Sequence, residues 1–200
     1  MNLANAIKKR RSIRRYQCAS ISDEQIEILL AAACSAPSAH NRQPWRFSIL
    51  RSPSSKAKLA DAMGAKLKED RRRDGDDEVA IADDVARSRI RIVNAPLVIV
   101  VSMSLADMDT YPDERRTNAE RVMAIQSTAM AVQNLLLAAT AQELGACWMC
   151  APLFCPETVK AALSLPDDWQ AQALVTVGVP ASEGKPAQRR PIASLMHEIP

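Results

Sequence analysis

The longest periodic stretch of the chain, residues 117–144, carries Val122, Ile125, Ala129, Val132, Leu136 and Ala139 at spacings of three and four, with no Gly or Pro until Gly145. This pattern predicts a long helix that is apolar on most sides, and such a helix must be buried in a core or in a subunit interface. Gly145 is expected to end it as a C-cap. A second amphipathic stretch opens at Ser22-Asp23-Glu24-Gln25, which has the capping-box spacing. It continues with Ile26, Leu29, Leu30 and Ala33 on one face and is stopped by Ala36-Pro37.

Residues 2–10 read as a short helix that delivers Arg10 and Arg11 at its C-terminal end. Residues 55–68, 80–93 and 156–165 read as further helices, the last with Pro156 in its first turn. Residues 66–78 form a highly charged loop or helix end centred on Arg71-Arg72-Arg73-Asp74-Gly75. Strands are expected at residues 45–50, 97–103, 146–149 and 171–179, and the apolar, β-branched run at 97–103 suits a central strand covered on both faces. Beyond Pro180 the composition turns to Gly, Pro, Lys and Arg, with a last turn expected at residues 192–197. Strands separated by long helices argue for an α/β or α+β domain with one sheet between helical layers.

Composition changes this picture little. At 200 residues, 48% hydrophobic and 24% charged, residues 1–200 suit a single globular domain with an ordinary core. A net charge of +3, with Lys and Arg interleaved among Asp and Glu, gives no ground for expecting a nucleic-acid or membrane partner. No apolar run approaches the ~20 residues that span a bilayer, and residues 1–9 lack the apolar segment of a signal peptide. Cytoplasmic residence is therefore the expectation. Five Cys, an odd number without a secreted context, read as reduced thiols. The five Gly include no Gly-x-Gly-x-x-Gly, so phosphate binding has to come from side chains rather than a Rossmann turn.

Two segments carry such side chains. Arg10-Arg11-Ser12-Ile13-Arg14, followed by Arg15, offers guanidinium forks and a hydroxyl, groups that suit a phosphate and a polyol. One expected helix later, Pro37-Ser38-Ala39-His40-Asn41-Arg42-Gln43-Pro44-Trp45-Arg46-Phe47 offers small residues, the amides of Asn41 and Gln43, and an apolar exit. Such a loop can take a flat heteroaromatic ring against its backbone. Cys147-Trp148-Met149-Cys150 has dithiol spacing, but it follows a helix C-terminus and falls in an expected strand, where little lowers a thiol pKa. Zinc finds only His40 and His197 beside the Cys, without a second ligand pair at the usual spacing.

The two opening segments, in this order, resemble the nitroreductase family, FMN-dependent oxidoreductases that begin with Arg-x-Ser-x-Arg/Lys and continue with Pro-Ser-x-x-Asn-x-Gln-Pro-Trp. Leu144-Gly145-Ala146-Cys147-Trp148-Met149-Cys150-Ala151-Pro152 is similar to the family's Leu-Gly-x-x-x-Trp segment. Gly178-Val179-Pro180 and Arg189-Arg190-Pro191 are similar to its Gly-x-Pro strand end and basic tail. The resemblance implies a three-layer sandwich with a mixed sheet, a homodimer with the long helix at its interface, and FMN held between subunits. It implies that Arg10, Arg11, Ser12, Arg14, Arg189 and Arg190 bind the flavin from one chain, and that Pro37, Ser38, Ala39, Asn41 and Gln43 contribute in part from the other. Met149, Cys150 and Ala151 would present backbone groups near the reactive ring nitrogen; His40, inside the second loop, is placed to touch substrate or the ring or to bond backbone as an ordinary loop histidine.

The activity implied is reduction of nitroaromatics, quinones or a related small electrophile with NAD(P)H, by a ping-pong mechanism. Position 150 departs from the family, with Cys where Gly is usual, and residues 66–80 supply no aligned ring contact beyond Lys66, Lys68 and Arg71 to Arg73. Three alternatives stand beside the general reductase. One is a dedicated metabolic enzyme, such as a reductase of deazaflavin-coenzyme biosynthesis or a dehalogenase. Another is oxidative fragmentation of FMN, against which Ser12 counts because that branch usually carries an acidic residue there. The third is a flavin-binding protein without turnover.

Overall fold

The computed structural model describes residues 1–199. Helices α1 (Leu3–Lys9) and α2 (Asp23–Cys34) precede strand β1 (Trp45–Leu50), which is followed by helices α3 (Pro53–Arg73) and α4 (Glu78–Val93) and strand β2 (Leu97–Ser104). Helix α5 (Glu114–Ala141), strand β3 (Gly145–Met149), helix α6 (Pro156–Leu163) and strand β4 (Trp169–Gly178) complete the domain. Short 3-10 turns lie at Ala39–Asn41, Ala151–Phe154 and Ile192–Ser194.

Local chemistry explains most boundaries. Ser22 and Gln25 close the expected capping box reciprocally at the start of α2. Ser52 caps α3 ahead of Pro53, and Asp77 and Asp113 cap α4 and α5 through side-chain oxygens. The charged stretch, read as a loop or helix end, is the end of α3 up to Arg73 and a turn beyond it. Lys66 pairs with Asp70 and Arg73 with Glu69 at helical spacing, while Arg71 reaches Asp76 and Asp84 and Arg72 reaches Glu78. Those pairs satisfy the polar stretch within helix and hairpin, and they carry the helix five residues past the expected end at residue 68. Gly145 does not cap α5: the helix ends at Ala141, the left-handed residue is Glu143 (φ 60°), and Gly145 opens β3.

The strands pair in the order β1-β2-β4-β3, each ladder antiparallel, and the parallel component is a single bridge between Ser12 and Ala146. Every residue of β2 is buried, as its composition predicts. Leu97, Ile99 and Val101 face a core with Leu29 of α2 and Leu135 of α5. Val98 and Val100 face the opposite core with Leu59 and Met63 of α3 and Val159 of α6. The sheet thus lies between two helical layers. Replacing fully buried Leu135 by Ala should cost about 3 kcal/mol, read as a lowered urea midpoint.

Against the expectation that no apolar run is long enough to span a bilayer, helix α5 is long and apolar enough by length and composition to pass as a membrane span. One face packs on the sheet through Ala131, Val132, Leu135 and Ala139. The other exposes Val122, Ile125, Ala129 and Met130. Its apolarity therefore serves two surfaces of a packed helix rather than one all-round burial.

Candidate active site

The first segment lies along the outer edge of β3 and the end of β4. Arg10 closes α1 by donating its amide to the Ala6 carbonyl, Ile13 donates to the Ala146 carbonyl at 3.0 Å, and Gln17 donates to the Val179 carbonyl at 2.9 Å. Two cross-strand partners, Gly145 and Gly178, permit this approach. A Cβ at Gly145 would stand 2.7 Å from Ile13, and one at Gly178 would stand 2.8 Å from the Tyr16 ring. The Tyr16 hydroxyl bonds the Ile13 carbonyl and Thr176, and burial pushes its pKa far above the usual value, so it remains a neutral anchor.

After Pro180 the tail turns back over this segment, with the Ala181 amide donating to the Arg15 carbonyl. Between them opens a cleft of about 990 Å³. Arg10, Arg11, Arg14 and Arg15 line one side with Ser12; Lys185 and Arg189 come from the tail, and Arg87 and Arg91 from α4. Arg190 is exposed and takes no part in the lining. Among the described residues only Arg87 of these eight cations has a carboxylate at ion-pair distance, that of Asp84. Guanidinium groups left without partners along a concave wall are what a phosphate monoester requires. The α4 arginines were missed in the sequence because they sit far from either motif. Their signal was an i, i+4 spacing on one helix face.

The second loop is built differently. His40, Asn41 and Gln43 all have positive φ (49°, 54° and 48°) although none is glycine. Each such residue carries about 1 kcal/mol of strain, and clusters of this kind mark functional loops. The loop is fixed by bonds from the Ala39 amide to the Ser127 hydroxyl and from the Gln43 amide to the Ser38 hydroxyl, and by the Arg42–Asp109 ion pair. Pro37 is exposed at the loop's entry, and the side chains of His40, Asn41 and Gln43 face outward. Asn41 and Gln43 make one long mutual bond of 3.4 Å, which leaves most of their donors and acceptors to a ligand.

The third segment follows β3. Met149 is the last strand residue, Cys150 is exposed, and Ala151 opens a 3-10 turn. Neither the Cys150 nor the Ala151 amide has a backbone acceptor among the described residues. The two thiols of the Cys-x-x-Cys do not form a pair: Cys147 is buried, with its pKa raised by burial against the pull of Arg14, Arg91 and Arg10, and Cys150 accepts from the Trp148 indole. Lys66 and Arg71 to Arg73 are held in ion pairs within the α3–α4 hairpin, and the charged stretch supplies no cleft residue.

Within one chain these segments are not contiguous. Ser12 lies beside Ala146 at the β3 edge, whereas the second loop enters β1 at the opposite edge and the opposite end of the strands. Three strand spacings and six residues of rise separate them, roughly 14 Å across and roughly 20 Å along the sheet.

Comparison with known proteins follows the same pattern. An NADH dehydrogenase of Thermus thermophilus is 31% identical over 96% of this chain and 93% of its own length. A 5,6-dimethylbenzimidazole synthase of Rhodospirillum rubrum is 30% identical over 87% of this chain and 80% of its own. A crystal structure of a nitroreductase from Desulfovibrio desulfuricans in complex with FMN superposes with a TM-score of 0.76, at 31% identity and coverage of 100% and 98%. The sequence model of the nitroreductase family matches residues 7–179, and the chain belongs to that family of flavin oxidoreductases.

Proposed function

We propose that the protein is an FMN-dependent oxidoreductase that passes electrons from NAD(P)H to nitroaromatics, quinones or a related small electrophile. The observation that carries this reading is the cleft of unpaired guanidinium groups over the β3–β4 end, from which β3 leads to the free amides of Cys150 and Ala151. When bound, FMN supplies the hydride and electron transfer. Arg10 and Arg14 hold its phosphate, and Ser12 meets the polyol. The Cys150 and Ala151 amides donate where negative charge develops, so no acidic side chain has to be provided. Asn41 and Gln43 match the ring's polar edge, and His40 stands beside the substrate.

The distance between the segments calls for two copies of the chain, because the phosphate cleft and the second loop lie farther apart in one chain than one FMN reaches. Val122, Ile125, Ala129 and Met130 on α5, with Leu3 and Ile7 on α1, supply the apolar surface for a homodimer. Cytoplasmic residence agrees with five free thiols and with the supply of reduced nicotinamide.

Arg10→Ala or Arg14→Ala should each weaken FMN retention by about 1.5 to 3 kcal/mol, measured by flavin fluorescence after dilution. Unchanged affinity removes the residue from the phosphate site. Initial rates with NADPH and menadione or a nitrofuran should give parallel double-reciprocal lines; intersecting lines contradict a shared binding face. The relative named as a 5,6-dimethylbenzimidazole synthase supports a second reading, since the dimethylated benzene ring of that product is also part of the flavin. Formation of that product from bound FMN, rather than turnover of menadione, a nitrofuran or a deazaflavin, distinguishes it.

A further inference from the structure

A single FMN phosphate carries a charge near −2 and is saturated by two or three forked donors. The cleft holds far more. Arg11 is turned back on the Lys8 and Arg10 carbonyls, and Arg87 shares Asp84 with Arg71. That leaves Arg10, Arg14, Arg15, Arg91, Lys185 and Arg189 without a carboxylate, against Asp83 as the acid in the lining. The excess is spatially organised. Arg87 and Arg91, one turn apart on α4, present one wall, and Arg10 and Arg14 with Ser12 present the wall attached to β3. A volume of about 990 Å³ also exceeds what a phosphate and a ribityl chain fill, and lies at the upper end for small-molecule sites.

We infer that the α4 wall, Arg87 and Arg91, together with Lys185 of the tail, binds a second phosphoryl group beside that of the flavin. The inference rests on the reading of this cleft as the FMN phosphate site. The chemistry that fits is an adenosine phosphate bearing more than one phosphoryl group: the 2′-phosphorylated half of a nicotinamide donor, or the diphosphate of a flavin dinucleotide bound in place of FMN. A mononucleotide flavin with an unphosphorylated donor leaves Arg91 and Lys185 unmatched and Arg87 with only its share of Asp84, and unmatched like charges on facing walls repel. Their presence is thus a preference written into the cleft.

The test is calorimetry on the FMN-loaded protein with adenosine 2′,5′-bisphosphate and adenosine 5′-monophosphate, repeated on Arg87→Gln/Arg91→Gln. Arg89→Gln, which removes a cation paired with Asp61 outside the cleft, is the control for loss of an α4 cation as such. The bisphosphate should bind at least tenfold more tightly than the monophosphate to the native protein and to R89Q. The double variant should lose that preference while its FMN affinity stays within twofold. Tighter retention of FAD than FMN, lost in the same double variant, also supports the subsite and assigns it to the flavin's diphosphate. Equal binding of the two adenosine probes to the native protein overturns the inference, as does a double variant that loses FMN in parallel, because Arg87 and Arg91 then belong to the flavin phosphate. A native protein that takes up no FMN overturns the preceding functional reading instead, and the adenosine probes still decide the second site.

Discussion

Ile125→Glu is expected to turn a flavin-bound dimer into a flavin-free monomer. Ile125 is exposed at the middle of the outer stripe of α5, one turn from Val122 and Ala129, with Met130 beyond them and Arg121 one turn before it. In a two-fold interface the substitution enters twice, and a carboxylate taken out of water costs several kcal/mol even where Arg121, one turn away, pairs with it. The fold of the chain should survive, because Ile125 belongs to none of the buried clusters, so circular dichroism and the thermal midpoint of the monomer should stay near the native values. Sedimentation with detection at the flavin absorbance reads both outcomes together. A variant that remains a flavin-bound dimer places the interface elsewhere, and a native flavin-bound monomer contradicts a site shared by two chains.

Gly145→Val is expected to be the most damaging single change near the cleft. Even a methyl group at this position would stand 2.7 Å from Ile13, and the strand on which Gly145 sits is fixed by its ladder with β4. The segment carrying Arg10 to Arg14 must therefore move. Overpacking of this kind costs about 1 to 3 kcal/mol in stability. The larger consequence is for the ligand: displacement of the two guanidinium groups proposed to bind the FMN phosphate should remove about 1.5 to 3 kcal/mol for each bond lost, or roughly tenfold to a hundredfold in FMN affinity per bond. Combining Gly145→Ala with Ile13→Ala should restore much of what Gly145→Ala alone loses, since the two residues collide directly. If Gly145→Val retains FMN at native affinity, the close approach of this segment to β3 is irrelevant to binding.

The elements most legible in the sequence were those whose signals are local. Ser22-Asp23-Glu24-Gln25 is a capping box in the structure, and the buried run of β2 reads as the central strand it is. Helix α3 was cut short because apolar periodicity fades after Met63, while the charges that sustain the helix find partners on α4, which sequence spacing does not reveal. Gly145 was misassigned for a related reason. A glycine after a helix suggests a C-cap, yet Glu143 takes the left-handed turn, and Gly145 is required by Ile13, a residue more than a hundred positions earlier. The two binding motifs were visible as residue types. What they did not reveal was the placement of the second loop at the far corner of the sheet, its strain at three non-glycine residues, or the arginines of α4 facing the first motif. All three depend on how the chain returns on itself.

The central claim, that this member of the nitroreductase family holds FMN and reduces it with a nicotinamide donor, is tested most directly by one absorbance spectrum. The protein is incubated with FMN, desalted, and recorded before and after anaerobic addition of NADPH. The account predicts a retained flavin band that bleaches. A retained band that persists contradicts the nicotinamide-linked activity, and the absence of a band contradicts the assignment of the cleft and loop to FMN.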